Sequence, residues 1–155
     1  MRISIYNTAL DADKKNILIK EESRNLPGVS GLHNVGNIVT VFNSVFHANT
    51  LAEEHLWLIA VDTKSKPIGF FEISHGTVDS SIVSPREIFV RLCLCGASQF
   101  VIVHNHPSGD STPSKSDINV TMRLKDAGAL MQIPLLDHII IGDSYYSFHE
   151  NGYHK

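Results

Sequence analysis

Apolar residues along the chain fall into short runs and helical spacings, separated by clusters of Pro, Gly and polar residues. Asn16-Ile17-Leu18-Ile19-Lys20 predicts a short strand. Asn25-Leu26-Pro27-Gly28-Val29-Ser30-Gly31 is a loop, punctuated by Pro and Gly. Ile38, Val41, Phe42, Val45 and Phe46 then recur in steps of three and four, which predicts one amphipathic helix. Residues 56–61 are continuously apolar, as in a strand covered on both faces. Lys64-Ser65-Lys66-Pro67 makes a turn into a second strand at 68–73, so the pair reads as a hairpin. A loop follows at 76–81.

Ser84-Pro85-Arg86-Glu87 opens the next helix by three rules together. Ser84 can cap free N–H groups, Pro85 suits the first helical position, and Glu87 can close a capping box. Ile88, Phe89, Leu92 and Cys93 supply its buried face, and Gly96 ends it. A third strand, 100–103, runs straight into His104. A second capping pattern, Ser114-Lys115-Ser116-Asp117, starts a helix that carries Ile118 and Met122 one turn apart and stops near Gly128. A fourth strand at 135–141, a turn at Gly142-Asp143 and a final edge strand at 145–148 complete the chain. Strands and helices are mixed rather than strictly alternating. The expected architecture is an α/β sandwich of two or three layers around a mixed sheet.

Composition narrows the class. The 155 residues suit one domain, with 43% hydrophobic and 19% charged residues. A domain of this size buries roughly two-thirds of its unfolded surface and needs no covalent staple. The net charge of -3, with no Lys/Arg cluster, argues against non-specific binding to nucleic acid. The two cysteines, Cys93 and Cys95, lie two apart in a predicted helix on different faces, which argues against a bond between them. They read as buried small hydrophobes in a reducing compartment. The first six residues lack a signal-peptide core, and no apolar run is long enough to span a membrane. A cytoplasmic location is expected.

The candidate chemistry sits after the third strand, in His104-Asn105-His106-Pro107. Residues two apart on extended chain share a face, so both imidazoles can approach one ion. Asp117, in the first turn of the next helix, offers a carboxylate, and Asp110 in the intervening loop is a competing one. Two histidines and one carboxylate leave a fourth tetrahedral position open, the layout of a catalytic rather than a structural zinc. Asn105, between the two, should point away from the ion. Asp137-His138 begins a strand and suits either a structural hydrogen bond or support of a metal ligand. His33, His47, His55, His75, His149 and His154 show no ligand spacing.

The string His104-x-His106-x7-Ser114-x2-Asp117 matches the JAMM signature. His104-Asn105-His106-Pro107-Ser108-Gly109-Asp110 with Pro113-Ser114 closely resembles the bacterial RadC-like branch of that family. Gly76-Thr77, Pro85-Arg86-Glu87 and Leu136-Asp137-His138-Ile139-Ile140-Ile141-Gly142 extend the likeness. The resemblance implies a JAB1/MPN-like fold over residues 34–155, preceded by a strand-and-loop extension at 1–33. It also implies a Zn2+ site acting on peptide or isopeptide bonds in a protein or peptide substrate.

Longer RadC-like members carry an N-terminal region similar to a helix-hairpin-helix module. Residues 1–30 do not read as such helices, so autonomous DNA binding is expected to be weak or absent. Two other functions stand beside the peptidase: a DNA-repair-associated factor, and a non-catalytic MPN binding module.

The resemblance gives Ser114 a role as donor to the oxyanion of a tetrahedral intermediate, beside its plain role as a helix cap. Hydrolysis also needs a carboxylate to take a proton from water. JAMM enzymes place their glutamate at the head of the strand before the metal-binding half, which points to Glu54. Glu72, a charge inside the second strand, is the alternative base. Glu53 stands third, because neighbours on extended chain face opposite ways.

Overall fold

The computed structural model describes residues 1–76 and 83–153. Most of the loop expected at 76–81, with Thr77, and His154 lie outside the described residues. The chain forms β1 (Arg2–Leu10), β2 (Asn16–Asn25), α1 (Val35–Val41), β3 (Glu54–Val61), β4 (Pro67–Gly76), α2 (Pro85–Cys95), β5 (Gln99–Asn105), α3 (Lys115–Met131), β6 (Leu135–Ile141) and β7 (Tyr145–Ser147). A π-helical turn, Phe42–Phe46, continues α1.

The seven strands among the described residues join one mixed sheet in the order β2-β1-β4-β3-β5-β6-β7. The β1–β4 and β5–β6 pairs are parallel and the others antiparallel. Two apolar layers enclose it. On one face Trp57, Ile59, Val61, Phe70, Val101 and Val103 pack with Ile38, Val41 and Phe42 of the first helix. On the other, Leu56, Leu58, Phe71, Phe100 and Ile102 pack with Ile88 and Leu92 of α2 and Val120 and Leu124 of α3. The molecule is therefore a three-layer α/β sandwich. The unbroken apolar run in β3 follows, since both of its faces are covered. Among the described residues, no helix is long and apolar enough to cross a membrane.

Several local expectations need correction. A strand precedes the expected one: β1 and β2 form a hairpin, and Ile3 of β1 is buried in the α1-side layer. Ser84 makes no side-chain cap bond to α2, although Pro85 does take the first turn. Glu87 pairs instead with Arg86 at 2.7 Å and Arg91 at 3.5 Å, two cations close at hand. Cys93 is exposed and Cys95 only half-buried. The inward stripe is Ile88, Phe89 and Leu92, and each helical step turns about 100° away from it. On α3 the buried residues are Val120 and Leu124, while Met122 is exposed.

Helix α3 also runs on through Gly128 to Met131. Gly128 acts by its size there. A Cβ at this position would lie 2.8 Å from the Ile133 carbonyl oxygen, so the missing side chain lets the helix pack closely on the start of β6.

Candidate metal centre

Strand β5 carries His104 into the sheet's interior, and His106 follows just beyond the strand, its N–H bonded to the Ile141 carbonyl at 2.8 Å. The capping expected at 114–117 forms in full. Ser114 Oγ accepts from the Asp117 N–H at 3.1 Å, and Asp117 Oδ2 accepts from the Ser114 N–H at 2.7 Å. This reciprocal pair aims the Asp117 carboxylate back toward the end of β5.

The donors converge. His104 Nε2 lies 2.9 Å from His106 Nε2 and 3.2 Å from Asp117 Oδ1, and His106 Nε2 lies 3.4 Å from Asp117 Oδ2. All three donor atoms fall within 4.8 Å of one another. Each imidazole presents Nε2 because its Nδ1 is held from behind. His106 Nδ1 donates to the Asp110 carbonyl at 2.7 Å, and His104 Nδ1 meets His138 Nε2 at 2.7 Å. A carbonyl oxygen accepts only, so a neutral His106 directs its Nε2 lone pair inward. Two oriented imidazoles beside a carboxylate fit a metal ion.

The electrostatics agree. Burial raises the Asp117 carboxyl, but its contacts with the His104 and His106 imidazoles outweigh that and hold it well below the usual carboxylate range. The Asp117 contact pushes the His106 imidazole up, against its partial burial. Burial drives His138 far below the ordinary imidazole value and keeps it neutral.

The comparison with known families decides which fold this is. The RadC-like JAB domain model matches residues 33–153. The chain belongs to the RadC-like JAB domain family. Its similar relatives include UPF0758 proteins from three clostridia. That of Clostridium perfringens is 53% identical over 96 residues, covering 62% of this chain and 42% of the relative. That of Clostridium novyi is 51% identical over 94 residues, covering 61% and 41%. One from Clostridium botulinum is 47% identical over 104 residues, covering 66% and 45%. The chain thus matches less than half the length of these relatives.

Within this JAB domain the three candidate glutamates part company. Leu56 stands opposite His104 in the β3–β5 ladder. Alternation puts Glu54 on the same face, where its charge acts on His106. Glu72 stands opposite Trp57 and bonds His55 Nδ1 at 2.8 Å. Trp57 belongs to the α1-side layer, so Glu72 faces away from His104. Glu53 is exposed, 3.6 Å from His75 Nε2.

Three residues gain contacts that spacing did not reveal. Asn105 does point away from the imidazoles, but to a purpose. Its side chain accepts from the His55 N–H at 2.7 Å and donates to the Glu53 carbonyl at 2.9 Å, so it clamps β3 on either side of Glu54. Asp110 meets the site through its carbonyl oxygen rather than its carboxylate. Thr121, one turn beyond Asp117 on α3, reaches His138 Nδ1 at 2.6 Å. Asp137 is structural: it accepts from the Ser147 hydroxyl at 2.6 Å and the His149 N–H at 2.9 Å.

Proposed function

We propose that the chain is a zinc-dependent hydrolase of peptide or isopeptide bonds in a protein or peptide substrate, of the JAMM type. The observation that carries this reading is the convergence of His104, His106 and Asp117, each side chain oriented by a further hydrogen bond. Two imidazoles and a carboxylate suit zinc and leave one position open. When bound, zinc supplies a Lewis acid and brings the acidity of water toward neutrality. Glu54 takes the proton from the attacking water and returns it to the leaving nitrogen. Asn105 keeps the Glu54 backbone in place for that transfer. The Ser114 oxygen serves the helix cap as an acceptor, which leaves its hydrogen to stabilise the substrate carbonyl oxygen as charge builds there.

The test has two readouts. Elemental analysis of native protein should give about one zinc per chain, with none in a His104→Ala/His106→Ala double variant. The zinc-loaded protein, incubated with a cellular peptide library, should generate new termini by mass spectrometry. Glu54→Gln should keep its zinc and generate none. Full zinc in the double variant, or equal cleavage by Glu54→Gln, overturns the assignment.

A further inference from the structure

We infer that Thr121 and His138 are positioning residues that set the proton arrangement of His104, so that its Nε2 lone pair is directed at the metal position. The inference rests on the reading of His104 as a ligand. It deepens that reading by assigning work to two buried residues that never reach the ion.

One hydrogen-bonded chain links the Asp117 main chain to His104. Thr121 Oγ1 lies 2.7 Å from the Asp117 main-chain carbonyl oxygen and 2.6 Å from His138 Nδ1. The carbonyl can only accept. Two oxygens at that separation attract only with a hydrogen between them, so the single hydroxyl hydrogen of Thr121 goes to the carbonyl. The Thr121 oxygen is then the acceptor toward His138, and His138 carries its hydrogen on Nδ1. A neutral ring has one such hydrogen, so His138 Nε2 is a lone pair. That lone pair accepts from His104 Nδ1–H at 2.7 Å. His104 Nε2 is left bare, facing His106 and Asp117.

The chain starts and ends on one residue. The Asp117 main chain anchors its far end, and the Asp117 carboxylate stands beside its near end. Thr121, His138 and His104 are 1%, 1% and 0% exposed, so water cannot replace a lost link. Phe148 stacks on His138 at 4.8 Å with planes 5° apart, which fixes the ring against rotation. The reverse polarity would set the Thr121 and carbonyl oxygens against each other and place a hydrogen on His104 Nε2, where the ion belongs.

Thr121→Val keeps the shape and removes the hydroxyl; Thr121→Ser restores it. Zinc affinity, measured by competition with a chromophoric chelator, should fall about 10- to 100-fold in Thr121→Val. It should stay near wild type in Thr121→Ser. Both variants are compared below their melting temperatures, so a general loss of stability is not mistaken for the effect. Long-range proton–nitrogen NMR of the imidazoles gives a readout without metal: in wild type, His138 and His104 should both carry hydrogen on Nδ1.

Hydrogen on Nε2 of His138, or wild-type affinity in folded Thr121→Val, overturns the inference. A wild-type chain with the expected NMR pattern that binds no zinc keeps the relay and removes the metal reading instead.

Discussion

His106 is held at three points: Nδ1 by a carbonyl, and Nε2 near both His104 and Asp117. The same Asp117 that makes it a good ligand also makes it a better base. Its folded pKa is raised above the unfolded value, so its contribution to metal-free stability is fully present below about pH 6.5 and is lost as pH rises through the raised value. Protons and zinc compete for one nitrogen. Zinc affinity should therefore fall by about tenfold or more between pH 8 and pH 6, followed by chelator competition. An affinity unchanged over that range would show that His106 does not bind the ion. Ser114 tests the other side of the chemistry. Ser114→Ala loses the cap, about 1 kcal/mol in a melting experiment. The bond from the residue 114 N–H to Asp117 Oδ2 uses the backbone and survives, so zinc content should hold. If the hydroxyl also serves the substrate, kcat drops about a hundredfold or more. A loss of activity no larger than the loss of folded protein would leave Ser114 a cap alone.

At the scale of elements, what the sequence displayed depended on how local the cause was. The β3 run and the Ser114–Asp117 box were legible because each depends on neighbours along the chain or on one burial pattern. The same capping pattern at Ser84 failed, since Arg86 and Arg91 compete for Glu87. Strand β1 escaped notice because polar Ser4, Asn7 and Thr8 interrupt its apolar positions, and its partners come from β2 and β4. His104, His106 and Asp117 were legible from spacing. Of the Thr121–His138–His104 chain, only His138 showed a sign of such a role, as one of two readings of Asp137-His138; Thr121 and the linkage did not, because they join α3, β6 and β5 across the sheet. The loop between β5 and α3 shows the same dependence. It reads in the sequence only as an intervening loop, yet it is locked onto the β6–β7 turn by the Asp143 N–H to Gly109 carbonyl bond of 2.8 Å. A Cβ on Gly142 would come within 2.2 Å of that Gly109 oxygen, so backbone has to move. Asp110, next along the loop, holds His106 Nδ1. Gly142→Ala should thus cost about 1–3 kcal/mol of stability and weaken zinc binding together. Lost stability with unchanged zinc affinity would mean the loop does not orient His106.

Across the whole molecule, helices cover both faces of the sheet and place the donor cluster at the end of β5, beneath the first turn of α3. A cluster so placed acts on whatever the surrounding surface admits, and that surface bears on nucleic acid as a ligand. The chain has 13 Lys and Arg against 16 Asp and Glu, a net charge of -3. Its cations are also interleaved with anions. Arg24 pairs with Glu22, while Arg86 and Arg91 share Glu87. On the β1–β2 hairpin, Lys14, Lys15 and Lys20 are flanked by Asp11 and Asp13 on one side and Glu21 and Glu22 on the other. Binding to a duplex through its phosphates draws on released counterions, which requires several cations free to face the backbone at once. Interleaved carboxylates repel the phosphates and hold the nearby guanidinium groups in place. We therefore expect this chain to bind a short labelled duplex more weakly than about 10 µM at physiological salt, by fluorescence anisotropy. Tighter binding that weakens steeply as salt is raised would overturn this, and would place a DNA-associated role ahead of peptide hydrolysis. Tight binding with little salt dependence would also overturn it, and would point to contacts with bases rather than phosphates.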